Sequence, residues 1–177
     1  MFELEMLLNE TAVMRGHLCC AQVLGVRMAM AGCRALEVAD PRSSRRVLVH
    51  AQIDSCAAQA VGIVTGCWPG RGTLEHTVCG KRAAVFVDVT TNRAVSVAVQ
   101  EEARERASAY VPEIAHRTSQ VGLLLAYAVM PDEELLAVEE VEPPVVEEGP
   151  RDQSVATATP DRRGGGEWPL SQAPPIS

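Results

Sequence analysis

Between Leu18 and Leu36 the apolar positions Leu18, Val23, Leu24, Val26, Met28, Met30 and Leu36 stand too densely for a helix with one face in water. Their spacing predicts a buried or interface helix, and Gly25 and Gly32 on it predict a close helix contact. The next apolar run, Arg46 to Ile53, is short and β-branched, bounded by Pro41, Ser43 and Ser44 before and by Asp54 and Ser55 after. That is the pattern of a buried strand. A helix over Cys56 to Thr65 follows, ended by Gly66 at the left-handed position that glycine fills most cheaply.

Cys67-Trp68-Pro69-Gly70-Arg71-Gly72 carries three turn formers and reads as a tight loop with exposed backbone amides. Ala83 to Val89 and Ala94 to Val99 are valine-rich strands joined by Thr90-Thr91-Asn92-Arg93, a hairpin signal. Glu101 to Met130 predicts one or two helices interrupted at Pro112 and stopped by Pro131. Glu133 to Val141 adds a short helical turn and a last strand. Beyond Pro143 and Pro144 the chain turns to Pro, Gly, Ser, Thr and acid, a composition that cannot bury enough surface to fold. The expected architecture is α+β: a small mixed or antiparallel sheet packed against helices in one core domain, residues 1–146, followed by a disordered acidic tail, residues 147–177.

Composition sharpens this picture. The chain has 177 residues, 47% hydrophobic but only 3% aromatic. One core of small aliphatic side chains is therefore expected, without a disulfide staple and without an aromatic platform for single-stranded nucleic acid. The formal charge of −7 belongs to the tail, because residues 1–130 hold 13 basic and 12 acidic side chains while residues 131–177 hold 3 and 11. Neither part has the basic footprint of a nucleic-acid binder. No run approaches 18 uninterrupted apolar residues and the first residues lack a secretory pattern, so no membrane span and a cytoplasmic address are expected. In a reducing compartment Cys19, Cys20, Cys33, Cys56, Cys67 and Cys79 read as core filler, metal ligands or reactive thiols.

Three constellations carry candidate chemistry. In Gly16-His17-Leu18-Cys19-Cys20, positions i and i+2 lie on nearly opposite sides of a helix, so His17 and Cys19 can share one metal only from the turn before a helix begins. In Asp54-Ser55-Cys56, a cap at Asp54 or Ser55 places Cys56 in the first helical turn, where amides and macrodipole favour thiolate. In Thr65-Gly66-Cys67 and the loop to Gly72, backbone amides could meet an anion, though the Lys-Ser/Thr ending of a phosphate loop is missing. The alternative for each is plain packing: a hydrogen-bonded histidine, a buried small thiol, an ordinary turn. If Cys56 to Thr65 is one helix, Cys56 and Cys67 stand about 15 Å apart and Cys67 serves another site or a neighbouring protomer. Lys81 is the single lysine and a candidate anion contact or titratable group.

Read in order, Gly16-His17-Leu18-Cys19, Asp54-Ser55-Cys56, Thr65-Gly66-Cys67, Gly70-Arg71-Gly72-Thr73-Leu74 and Gly80-Lys81 resemble the FmdE family, the E-type subunits of formylmethanofuran dehydrogenase. That family opens on His-Gly-His-x-Cys-Pro-Gly and continues with Asp-x-Cys, Thr-Gly-Cys and Gly-x-Gly. The likeness spans roughly Leu7 to Val146, and Glu133-Glu134-Leu135-Leu136 looks like the family's Glu-Glu-Leu-Phe. Arg15, Cys20 and Ala21 stand where the opening motif has its first His, Pro and Gly. The resemblance implies a homodimeric α+β core that gathers these His and Cys residues, sometimes around zinc or another transition metal. The cysteine-rich zinc finger that many relatives append is absent here, since no cysteine follows Cys79.

Three functions follow as expectations. The first is a metal-binding accessory protein of a molybdenum- or tungsten-dependent oxidoreductase, with His17, Cys19 and Cys56 as ligands. The second is a thiolate-using enzyme, a sulfur carrier or reductase, with Cys56 the nucleophile, Lys81 beside it, and Thr65 and Cys67 in cofactor contact. The third is an interaction module whose cysteines only pack.

Overall fold

A computed structural model describes residues 4–78, 81–111 and 120–144 of the chain. Cys79, Gly80, the helix break at Pro112 and the tail beyond Pro144 lie outside the described residues.

The helix predicted over Leu18–Leu36 is α2, Cys20–Ala35, and it is the centre of the fold. It follows α1, Leu4–Arg15, and precedes a one-turn helix α3, Pro41–Ser44. Strand β1, Val47–Gln52, then leads into α4, Ser55–Thr65. A single 3-10 turn over Pro69–Arg71 occupies the predicted tight loop and passes into β2, Leu74–His76. The predicted hairpin is β3, Ala83–Asp88, and β4, Arg93–Val99. After α5, Ala103–Tyr110, and α6, Gln120–Val129, the chain makes α7, Asp132–Leu135, and β5, Leu136–Val141.

The strands form one mixed sheet in the order β2-β1-β3-β4-β5, with β1 and β2 parallel and the other pairs antiparallel. Period-2 alternation puts Val47, Val49, Ala51, Ala84, Phe86, Val95 and Val97 on one face, and all are buried. That face meets α2, where the Phe86 ring occupies the space a side chain at Gly32 would need. Burying Phe86 completely contributes about 2 kcal/mol. Gly25 makes the expected helix contact: a Cβ there would stand 2.3 Å from the Ala57 carbonyl oxygen, so α2 and α4 cross backbone to backbone. Among the described residues no helix is long and apolar enough to cross a membrane.

One buried charge ties α2 to the end of α6. Arg27 donates to the Tyr127 and Met130 carbonyls at 2.8 and 2.7 Å and pairs with Asp132, which also accepts from Arg34 at 2.7 Å. The guanidinium thus satisfies carbonyls that the end of α6 leaves without helical partners. Burial opposes ionisation of Asp132, but the two arginines outweigh it and hold the carboxyl below its ordinary range. At the hairpin, Asp88 is fully buried and accepts from Thr90 N, Thr91 Oγ1 and Arg46.

The patterns do not announce α1, α3 or β2. Only Leu7 and Thr11 of α1 are buried, a stripe too narrow to show as amphipathic periodicity. The three residues of β2 are too few to alternate. The α3 turn is set by the Asp40 side chain, which accepts from Ser43 N, with Pro41 at its first position.

Candidate metal centre

Three short backbone devices set up the site. Gly16, at φ +73°, turns the chain out of α1. His17, Leu18 and Cys19 then lie in the connection before α2, where the i, i+2 argument requires them to be. Cys19 caps α2 in extended conformation, and its amide donates to Gln22 Oε1 at 2.8 Å. Cys56 sits in the first turn of α4, where the Asp54 carboxylate accepts from Cys56 N and Ala57 N at 3.0 and 3.1 Å. Because Gly25 lets α2 lie directly on Ala57, the starts of the two helices are drawn together.

The result is one group of potential ligand atoms. The donor atoms of His17, Cys19 and Cys56 all lie within 4.8 Å of one another, with His17 exposed and both thiols half-buried. Two sulfurs and an imidazole nitrogen form the soft donor set that zinc takes. Tetrahedral zinc with bonds of about 2.0–2.3 Å sets its ligands about 3.3–3.8 Å apart, so closing by about 1 Å would complete three corners and leave the fourth open. His17 Nδ1 lies 3.3 Å from the Arg15 carbonyl oxygen. A carbonyl only accepts, so this contact favours the tautomer with the proton on Nδ1 and the lone pair on Nε2.

The electrostatics correct one expectation. Position in a first helical turn predicts a thiol biased towards thiolate, but Cys56 titrates above the ordinary cysteine value. Burial contributes most, followed by Cys19 and then the Asp54 charge, and Arg15 opposes them only in part. Cys20 is likewise raised, by burial and then by Cys19, and its Sγ lies 2.8 Å from Gln120 Oε1.

Two side chains beside the cluster escape the sequence reading. Gln22 Nε2 and Gln59 Oε1 are buried without a hydrogen-bond partner among the described residues. Each lies three residues after a cluster cysteine, hence on the same helical face and one turn inward. That i+3 spacing from Cys19 and Cys56 is the signal that could have found them.

The other candidates lie elsewhere. Thr65 and Cys67 are buried at the opposite end of α4. Thr65 Oγ1 donates to the Val61 carbonyl at 2.8 Å and accepts from Cys67 N, and Cys67 Sγ lies 3.2 Å from the Val47 carbonyl. Cys67 therefore does not join the cluster within the protomer. Lys81 is exposed and stands two residues ahead of Ala83, which pairs with Gln52 at the end of β1 from which α4 departs.

Fold and site together define a small α+β domain with a soft-donor His/Cys pocket between two helix starts. The family described as FmdE, molybdenum formylmethanofuran dehydrogenase operon, matches residues 14–137, and the chain belongs to that family. The crystal structure of an FmdE-like protein of tungsten formylmethanofuran dehydrogenase from Syntrophus aciditrophicus is similar, with a TM-score of 0.64 and 15% identity. The alignment covers 92% of this chain and 85% of that one, and the likeness is one of fold. No curated protein matches the chain.

Proposed function

We propose that the protein is a metal-binding accessory protein of a molybdenum- or tungsten-dependent oxidoreductase, holding zinc or another transition metal on His17, Cys19 and Cys56. The convergence of the three donor atoms within 4.8 Å carries the reading. The family's name and that of the structural neighbour support the association with formylmethanofuran dehydrogenase. A bound ion would supply Lewis acidity at an open fourth position. The chain's own contribution is to orient the donors through the Asp54 cap, the Gln22 bond to Cys19 N and the His17 tautomer. Gln22 Nε2 and Gln59 Oε1 offer an unspent donor and acceptor beside that position.

A nucleophilic role for Cys56 without metal receives less support, because its surroundings disfavour the thiolate, whereas a metal replaces the proton directly. The same reading takes the protein as a cytoplasmic homodimer. Val121, Leu125 and Val129, exposed at successive turns of α6, support a covered apolar face. A monomer by sedimentation at micromolar concentration would remove that part.

Metal analysis of the full chain purified without oxygen tests the central claim. About one zinc or other transition ion per chain is expected, falling to background in Cys56→Ser and His17→Ala. Background metal in the native protein, or metal retained in both variants, would remove the proposal.

A further inference from the structure

At the opposite end of α4 a cavity of about 290 Å³ is lined by Arg42, Arg45, Arg71, Thr65, Cys67 and Thr73, with no acidic side chain in its wall. Glu10 holds Arg42 through two 2.9 Å bonds and balances its charge. Arg45 and Arg71 are exposed and make no ion pair or hydrogen bond among the described residues. Two uncompensated guanidiniums thus share one concavity in a chain whose formal charge is −7.

The wall's hydroxyls are already committed. Thr65 Oγ1 gives its proton to the Val61 carbonyl, and Thr73 Oγ1 accepts from Trp68 N at 3.0 Å and lies 3.4 Å from the Trp68 carbonyl. Recognition would therefore fall to the arginines, whose planar forks match the oxygens of a tetrahedral anion. The C-terminal end of α4 carries partial negative charge, which opposes an anion. Arg42 Nε donates to the Val64 carbonyl at 3.3 Å, offsetting part of it, and two full positive charges exceed the remainder.

The backbone adds an independent sign. Arg45 ends α3 in the left-handed conformation, φ 51° and ψ 25°, where glycine is the least strained residue. An arginine there costs stability and delivers a guanidinium to the cavity wall. Residues kept in such conformations concentrate where ligands bind.

We propose that this cavity binds a tetrahedral oxyanion, a phosphoryl or sulfuryl group, clamped between Arg45 and Arg71. The site is separate from the His/Cys cluster: α4 is 11 residues long and sets them about 15 Å apart. The cavity exceeds a single phosphate, so the anion is either free or the end group of a small organic molecule.

Calorimetric titration of the full chain at fixed ionic strength tests this, with sodium phosphate, sulfate and pyrophosphate as ligands and acetate and chloride as controls. Phosphate and sulfate are expected to bind at least tenfold tighter than acetate. Pyrophosphate binding tighter still identifies an end group, and equal binding identifies the free ion. Arg71→Gln and Arg45→Gly should each weaken phosphate at least fivefold. Arg45→Gly should also melt higher than the native protein, as relief of strain requires, and Cys56→Ser should leave phosphate binding unchanged. Phosphate binding no tighter than acetate or chloride, or undiminished in the Arg45→Gly, Arg71→Gln double variant, would overturn the proposal.

Discussion

The two ends of α4 each present a cysteine, and the chain treats them in opposite ways. Cys56, in the first turn, is half-buried beside a second thiol and an imidazole. Cys67, just past the last turn, is 3% exposed with its sulfur against the Val47 carbonyl, under a wall of arginines. One end thus collects soft donors suited to a cation, and the other collects guanidiniums suited to an anion. Burial and an occupied acceptor remove Cys67 from chemistry, and the crossing of two helix starts gives Cys56 its partners. What a thiol can do here is decided by its surroundings rather than by its motif, so the comparison can be broken by changing one end at a time.

The largest effect is expected from Gly25→Ala. The new Cβ would meet the Ala57 carbonyl oxygen at 2.3 Å and its Cα at 2.9 Å, backbone atoms that cannot rotate away. The crossing must open, at about 3 kcal/mol of stability by urea denaturation. Zinc affinity should fall more than tenfold as Cys56 leaves Cys19, while phosphate affinity at the far end stays within about twofold of native. A variant that loses the stability and keeps its metal would show that the cluster does not depend on this crossing.

Next in size is pH dependence, where the two ends should differ in kind. Burial, Cys19 and Asp54 raise the Cys56 thiol, so at neutral pH it carries a proton that an incoming metal must displace. Below the thiol's pKa, each unit rise in pH then strengthens metal binding by about tenfold for that proton. Sulfate and arginine keep their charges between pH 6 and 8, so sulfate binding at the far end should stay flat. Competition with a chelator at three pH values measures the first, and calorimetry the second. A flat metal profile would mean that Cys56 is not a ligand.

How much of this was legible in the sequence follows from the range of each signal. α2, β1, α4 and the β3–β4 hairpin carry strong periodicity with turn residues at their ends, and all stand near their predicted bounds. α1 and β2 bury too few side chains to leave a pattern. His17 and Cys19 were legible as a pre-helical pair because their spacing forbids a shared helical face. Their meeting with Cys56 depends on a backbone contact between Gly25 and Ala57, which spacing alone does not disclose. The direction of the Cys56 shift is hidden for the same reason: the helix dipole is local, whereas burial and Cys19 arrive from another element. The arginine cavity joins the stretch before β1 to the loop after α4, two segments that read separately as a strand boundary and a turn.

The smallest and most discriminating test separates capping from charge at Asp54. Its carboxylate holds Cys56 N and Ala57 N, and as a negative charge it also helps keep the neighbouring thiol protonated. Asp54→Ala removes both effects and should cost about 1 kcal/mol of stability. Asp54→Asn keeps an oxygen for the cap and removes only the charge, so stability should change by no more than a few tenths of a kcal/mol. In the metal-free protein both variants should let Cys56 alkylate faster at pH 7, because less negative charge faces the forming thiolate. Phosphate affinity, set at the other end of the helix, should be the same in both. Faster alkylation in Asp54→Ala alone would trace the effect to fraying of the first turn and leave the carboxylate's charge with no influence on the thiol.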